Sequence, residues 1–296
     1  MLVVAPAGSG KTEVLIRRVI RTLESSAGES FRLLVVTFTV KAAEELRRRA
    51  RDAVADELWR IDADTIHGFA LDWLRRYGKE VGVGPDVVVL SDDIDRAAVV
   101  RTYLQSVGLG ASVSDGLDDD LRSLLDAIDT HRLQDGVTNC EPDSIGRYFG
   151  ITLGEVSEAY ESSLIDQGAI DFPGMLLGLR KLLDEDDWVL GHFRTLYREI
   201  LVDEGQDLSE FQARLLRQLA GDSISLFVVA DDKQSIRGYA GGAFKHAERL
   251  VPQAAEAPLT LRHNFRCAQR ILCAAEAVLH SLPEADRNVF SPENMP

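Results

Sequence analysis

AlaProAlaGlySerGlyLysThr fills residues 5–12, directly after the apolar run Leu2, Val3 and Val4 and before a stretch carrying Val14, Leu15, Val19, Ile20 and Leu23 at helical spacing. Strand, glycine-rich loop and helix in that order decide the fold class, because together they describe a phosphate loop in an α/β protein with a parallel sheet. Gly8 and Gly10 let the backbone turn tightly and aim its amides inward, where a Cβ would obstruct phosphate oxygens. Lys11 supplies a mobile charge for the outer phosphates of a nucleoside triphosphate, and Thr12 a hydroxyl for its Mg²⁺. The helix N-terminus favours anions, so Ala5, Pro6, Ala7, Gly8, Ser9, Gly10, Lys11, Thr12 and Glu13 form the candidate nucleotide cradle. Ala5 stands where such loops usually open with glycine; a small residue preserves the turn but alters the fit around the phosphates.

Far downstream, Ile200, Leu201 and Val202 read as a buried strand that ends in Asp203 and Glu204. Open α/β sheets place their ligands at that edge. Asp203 is the candidate ligand to hydrated Mg²⁺ together with Thr12, and Glu204 the candidate to orient and deprotonate the attacking water.

Between these two signals the pattern changes. Residues 33–37 read as a strand, 40–58 as a helix, and 61–66 as an extended segment feeding a helix with Phe69, Leu71, Trp73 and Leu74. Residues 87–188 read as helices with acidic connections, one capped by Ser91 and another marked by Leu176, Leu179, Leu182 and Leu183. The acidic runs at 118–120 and 184–187 read as solvated surface. Alternation then resumes, with a helix over 211–219 opened by an Asp207–Glu210 capping box and a strand over 226–230. The economical reading is one α/β sheet domain interrupted by a mainly helical insertion.

The 296 residues carry a net charge of −15, which excludes a protein whose whole surface binds nucleic acid but leaves room for a localised basic groove. Arg17, Arg18 and Arg21, then Arg47, Arg48, Arg49 and Arg51, then Arg75, Arg76 and Lys79 are the basic clusters; each also reads as the wet face of a helix. Cys140, Cys267 and Cys273 form neither a disulfide framework nor a four-ligand metal pattern, which suits a reducing compartment. No apolar run is long enough for a bilayer and the N-terminus lacks a signal-peptide flank, so the expectation is a cytoplasmic protein with no membrane partner.

Six segments in a fixed order resemble the UvrD/Rep-like group of superfamily 1 DNA helicases and related helicase-nuclease subunits. They are the phosphate loop, ThrPheThrValLysAlaAlaGluGluLeu at 37–46, ThrIleHisGlyPhe at 65–69, ValAspGluGlyGlnAspLeu at 202–208, AlaAspAspLysGlnSerIle at 230–236 and LeuArgHisAsnPheArg at 261–266. The resemblance implies a RecA-like P-loop NTPase domain split into residues 1–84 and 193–257, a helical insertion at 85–192, and the beginning of a second motor domain at 258–296. It implies an ATP-dependent DNA helicase with ATP and Mg²⁺ as cofactors and single-stranded DNA as partner, acting in DNA repair, where a repair-complex partner is also implied. Gln206 and Gln234 take the role of linking nucleotide to DNA, and Arg266 that of reaching the terminal phosphate, positioned by Asn264. Thr37, Phe38, Thr39, His67, Phe69 and Tyr239 form the implied single-strand track, through phosphate contacts and base stacking.

Two substitutions depart from the family pattern: Val40 replaces an asparagine and Ala240 an arginine. The family's upstream glutamine motif and most of its second motor domain fall outside the sequence, so the expectation is the N-terminal part of a helicase, unable to unwind duplex DNA without the downstream region. A non-catalytic nucleotide- or DNA-binding regulatory fragment is the alternative.

Overall fold

The computed structural model describes residues 1–26, 28–109, 119–134, 151–234, 244–251 and 258–280. In chain order the first elements are β1 (Leu2–Val4), α1 (Lys11–Glu24), β2 (Arg32–Thr37), α2 (Val40–Val54) and β3 (Ile61–Thr65). There follow α3 (Ile66–Tyr77), β4 (Val88–Val89), α4 (Asp93–Ser106), α5 (Asp119–Leu133), α6 (Leu153–Asp166), β5 (Ala169–Ile170), α7 (Phe172–Glu185) and α8 (Asp187–Leu196). The chain returns through β6 (Tyr197–Val202), α9 (Glu210–Ala220), β7 (Ser225–Ala230), α10 (Phe244–Leu250), β8 (Leu259–Thr260) and α11 (Gln269–His280). It divides into two compact units, one of Met1–Ile66 with Leu190–Pro296 and one of His67–Val189.

The first unit holds a six-stranded sheet in the order β3-β2-β6-β7-β1-β8, and every pairing in it is parallel. A parallel sheet is covered on both faces, which is why its strands are nearly continuous apolar runs. Leu33, Val35, Ala63, Leu201 and Val229 face α1 and α2, meeting Leu15, Val19, Ala43 and Leu46 in one buried cluster. Val228 faces the opposite way and lies against α10 at Ala247, with Gly205 between them: a Cβ on Gly205 would come within 2.6 Å of Val228 Cγ1. Because all strands run the same way, β6, β7 and β1 deliver Asp203, Asp231 and Ala5 to one edge of the sheet from three adjacent positions.

The second unit is mainly helical, as expected for the insertion, with a two-stranded parallel pair β4-β5. Val100, Leu104, Leu121, Leu125, Ile128, Val156 and Leu164 from α4, α5 and α6 form its core. That core also contains charge. Asp171 is fully buried; its Oδ2 accepts from Arg132 Nη1 at 2.8 Å, from Tyr160 Oη at 3.0 Å and from Arg96 Nη2 at 3.4 Å, and its Oδ1 accepts from Gly174 N at 2.8 Å to cap α7.

Two helix starts differ from the sequence expectation. Residues 205–207 form a 3-10 turn, so α9 begins later, and Ser209 caps it in a capping box with Gln212. Asp92, one residue beyond Ser91, caps α4 by accepting from Ile94 N at 2.7 Å. In both places a neighbouring cap-competent side chain took the position. Among the described residues no helix is long and apolar enough to cross a membrane.

Candidate functional site

β1 ends where Ala5 N donates to Ala230 O at 2.8 Å, tying the loop to the end of β7. Ser9 then folds back, its amide and hydroxyl both donating to Pro6 O at 3.1 and 2.7 Å. Gly8 and Gly10 have φ of 75° and 90°, a region an L side chain enters only under strain. Gly10 begins α1 with no side-chain cap, so the first amides of the helix are not taken by the residue that ordinarily satisfies them. An anion is the natural partner for such an end.

Lys11 lies over the sheet edge with its side chain 10% exposed. Its Nζ is 3.2 Å from Glu204 Oε2 and donates to Asp231 Oδ2 at 3.3 Å. Gln206 is buried and spans the two acids: its Nε2 donates to Glu204 Oε2 at 2.8 Å, while its Oε1 accepts from Asp231 N at 2.8 Å. Glu204 has φ of 51°, the one non-glycine residue among those described with a positive φ. A left-handed glutamate costs roughly 1–2 kcal/mol and persists only where its surroundings enforce it, here by the bond to Gln206 and the pairing to Lys11.

Asp203 sits behind Glu204, buried, with its Oδ1 accepting from Glu204 N at 3.0 Å. Burial pushes its carboxyl up to about 6; the Glu204 carboxylate adds to the shift, while the Glu204 amide and Lys11 oppose it. A buried acid held back from ionising beside another acid fits a divalent cation, which would supply the missing counter-charge. Thr12 and Asp203 are the residues the sequence leads one to expect would hold it. Burial raises Asp231 as well, against the pull of Lys11.

The Asp203 shift sets a stability expectation. Between its ordinary value of 3.8 and about 6 the folded chain binds more protons than the unfolded one, so stability falls as pH rises through that window and the loss is complete above it. Asp203→Asn, which keeps an acceptor for Glu204 N, is therefore expected to stabilise the metal-free protein by about 1–3 kcal/mol near pH 8 and hardly at all near pH 4. Urea unfolding at both pH values checks this; equal stability of the two proteins near pH 8 would show that the carboxylate is already compensated.

Sequence reading assigned no role to Asp231. The signal was present: the apolar run at 226–230 ends in two acids, as the run before Asp203 and Glu204 does. Only the strand order shows that Asp231 reaches Lys11.

The remaining candidates are placed as follows. Gln234 is half-buried in the turn after Asp231, its amide donating to Asp231 O at 3.2 Å. Thr37 is buried with its hydroxyl donating to Thr39 O at 3.0 Å, and Thr39 Oγ1 accepts from Ala42 N at 3.2 Å as the cap of α2. Phe38 is half-buried. In the helical unit, Phe69 is buried with its ring 5.8 Å from that of Trp73, and His67 lies 5.5 Å from Phe172 edge-on, its pKa lowered by burial. Tyr239 and Ala240 lie outside the described residues. Arg266 is exposed, with its Cβ over Gly8.

Beside the loop runs a cleft of about 740 Å³, lined by Ser9, Gly10, Glu13, Val14 and Arg17 from the loop and α1 and by Thr260, Leu261, Arg262, His263 and Phe265 from the segment after β8. Glu13 and Arg17 pair along the α1 wall of the cleft at 2.7 Å.

Residues 1–253 match the family described as UvrD/REP helicase N-terminal domain. The chain is 30% identical over 282 residues to DNA helicase II of Salmonella typhimurium, covering 95% of this chain and 38% of that protein. It is 30% identical over 287 residues to the ATP-dependent DNA helicase PcrA of Bacillus subtilis, covering 94% and 37%. DNA helicase II of Escherichia coli is 29% identical over 282 residues, with 95% and 38% covered.

Proposed function

We propose, because this chain belongs to the UvrD/REP helicase N-terminal domain family, that it is the ATP-binding motor domain of a single-stranded-DNA-dependent helicase. The chain spans about 38% of the length of the relatives it matches, and coupling of hydrolysis to movement along DNA belongs to the longer protein. The observation that carries the reading is the meeting of Lys11 with Glu204 and Asp231 beneath an uncapped helix N-terminus, at the carboxyl edge of a parallel sheet.

In this reading the loop amides and Lys11 take the triphosphate, Thr12 and Asp203 hold Mg²⁺, and the cleft beside α1 takes the nucleoside. Mg²⁺, when bound, neutralises charge on the outer phosphates. Lys11 turns from Glu204 to the phosphates as ATP arrives, leaving the Glu204 carboxylate to accept a proton from the attacking water. Gln206 keeps that carboxylate in place and is bonded to the Asp231 amide, so a shift at the end of β7 is felt by the base. The turn beyond Asp231 holds Gln234, whose amide donates to Asp231 O, and Gln234 is the residue proposed to link nucleotide to DNA.

Glu204→Gln tests the assignment. The amide removes the base and retains the shape, so Mg-ATP affinity should change by less than about threefold while single-turnover hydrolysis with a single strand present falls about a hundredfold. Hydrolysis at the wild-type rate would take Glu204 out of the general-base role.

A further inference from the structure

The phosphate loop is held from outside by a turn far away in sequence. Asn264 Nδ2 donates to Ala7 O at 2.6 Å and Phe265 N donates to Gly8 O at 2.8 Å. The same Asn264 side chain accepts on Oδ1 from Arg266 N and from Cys267 N, both at 2.9 Å. The amide is thus satisfied in one orientation: two backbone donors require its oxygen on one side, and a carbonyl requires its nitrogen on the other. Gly8 makes the approach possible, since a Cβ there would lie 2.8 Å from both Asn264 Nδ2 and Arg266 Cβ.

These bonds fix directions as well as positions. The described peptide bonds are all trans, and across a trans peptide the N–H points opposite to the C=O. Drawing the Ala7 and Gly8 carbonyls toward the 264–266 turn sends the Gly8 and Ser9 amides away from it. The Ser9 amide duly folds back to Pro6 O. With both peptide planes set, the loop is ordered before any anion arrives.

We propose that Asn264 is a positioning residue that organises the phosphate loop and, through the same amide, the turn carrying Arg266. Asparagine does both where its usual replacements do not: serine and aspartate keep the acceptor for the turn, but serine is too short to reach Ala7 O and aspartate turns an acceptor toward it. One side chain therefore holds both the loop, through its nitrogen, and the turn that carries the arginine, through its oxygen. The effect on nucleotide rests on the function proposed above; the effect on the loop does not.

Hydrogen exchange in the nucleotide-free chain, followed on the peptide containing residues 6–12 and on the start of α11, decides the matter for Asn264→Ser, Asn264→Asp and Asn264→Ala. All three should exchange the Ser9 amide, which is bonded to Pro6 O, about tenfold faster, because all three lack the donor to Ala7 that sets the loop. Only Asn264→Ala should also loosen the start of α11, because only it lacks the acceptor. For Asn264→Ser, Mg-ADP and Mg-ATP affinities should fall by the same three- to tenfold, since loop amides serve both nucleotides. Wild-type loop exchange in the serine and aspartate variants would overturn the proposal, as would a loss confined to ATP in the serine variant. A wild-type chain that binds neither nucleotide would sink the proposed function, while the exchange rates would still decide the role of Asn264.

Discussion

Lys11→Ala is expected to weaken Mg-ATP binding several hundredfold, roughly 3–4 kcal/mol. Two losses add in the same direction. The ammonium no longer meets the outer phosphates, a charge-assisted contact ordinarily worth about 1.5–3 kcal/mol in a partly buried site. The alanine also leaves Asp231, buried with its side chain 1% exposed, and Glu204 without the cation that sits 3.3 and 3.2 Å from them. Triphosphate then meets the Glu204 and Asp231 carboxylates with no ammonium between them, and burial leaves the Asp231 charge weakly screened. Calorimetric titration of Mg-ATP into both proteins checks this. A change below about tenfold would mean that the loop amides alone hold the nucleotide and that Lys11 serves chiefly to hold Glu204 and Asp231.

Asp171→Ala should cost about 3–5 kcal/mol of stability in the helical unit and leave the sheet unit's exchange pattern in place. Asp171 faces Arg132, Arg96 and Tyr160 from a fully buried position and caps α7 besides. Arg96 would keep Asp129 and Asp93 as partners, but Arg132, with its side chain 4% exposed, would keep among the described residues a carboxylate no nearer than Glu161 at 4.0 Å, with the Tyr160 ring 5.4 Å away. Breaking one member of a buried ionic set leaves an uncompensated charge in low dielectric, which is where the large effect comes from. Urea unfolding, with hydrogen exchange to assign the loss to residues 67–189, measures it. A loss under about 1 kcal/mol would show that water reaches the arginines once the carboxylate is gone.

The phosphate loop and the acids after β6 were legible because their chemistry is local: a strand, a turn and the next residue suffice to recognise them. The parallel sheet followed from its apolar runs and their alternation with helices. What could not be read was set by contacts between distant segments. Asp231 and Asp232 are equivalent in sequence, and only the neighbouring of β7 and β1 puts Asp231 against Lys11. Asp171 only precedes a leucine-rich run in sequence, yet the fold seals it among two arginines and a tyrosine. Helix starts failed for a smaller reason: Asp207 and Ser209, or Ser91 and Asp92, are nearly equal caps, and in the first pair the 3-10 turn at 205–207 selects between them.

The strand order has a consequence for how the chain is made. β1 pairs with β7 and β8, so the strand that launches the phosphate loop precedes residues 225–230 in synthesis and waits for them before its ladder can form. β2 and β3 can pair early, and the helical unit has a core of its own to collapse upon. Closing the long loop between β1 and β7 is the slow, non-local step, and it is also the step that carries Asp231 to Lys11. Completing the sheet and assembling the nucleotide site are therefore one event. A chain in which β7 has not yet joined β1 lacks the contact between Asp231 and Lys11.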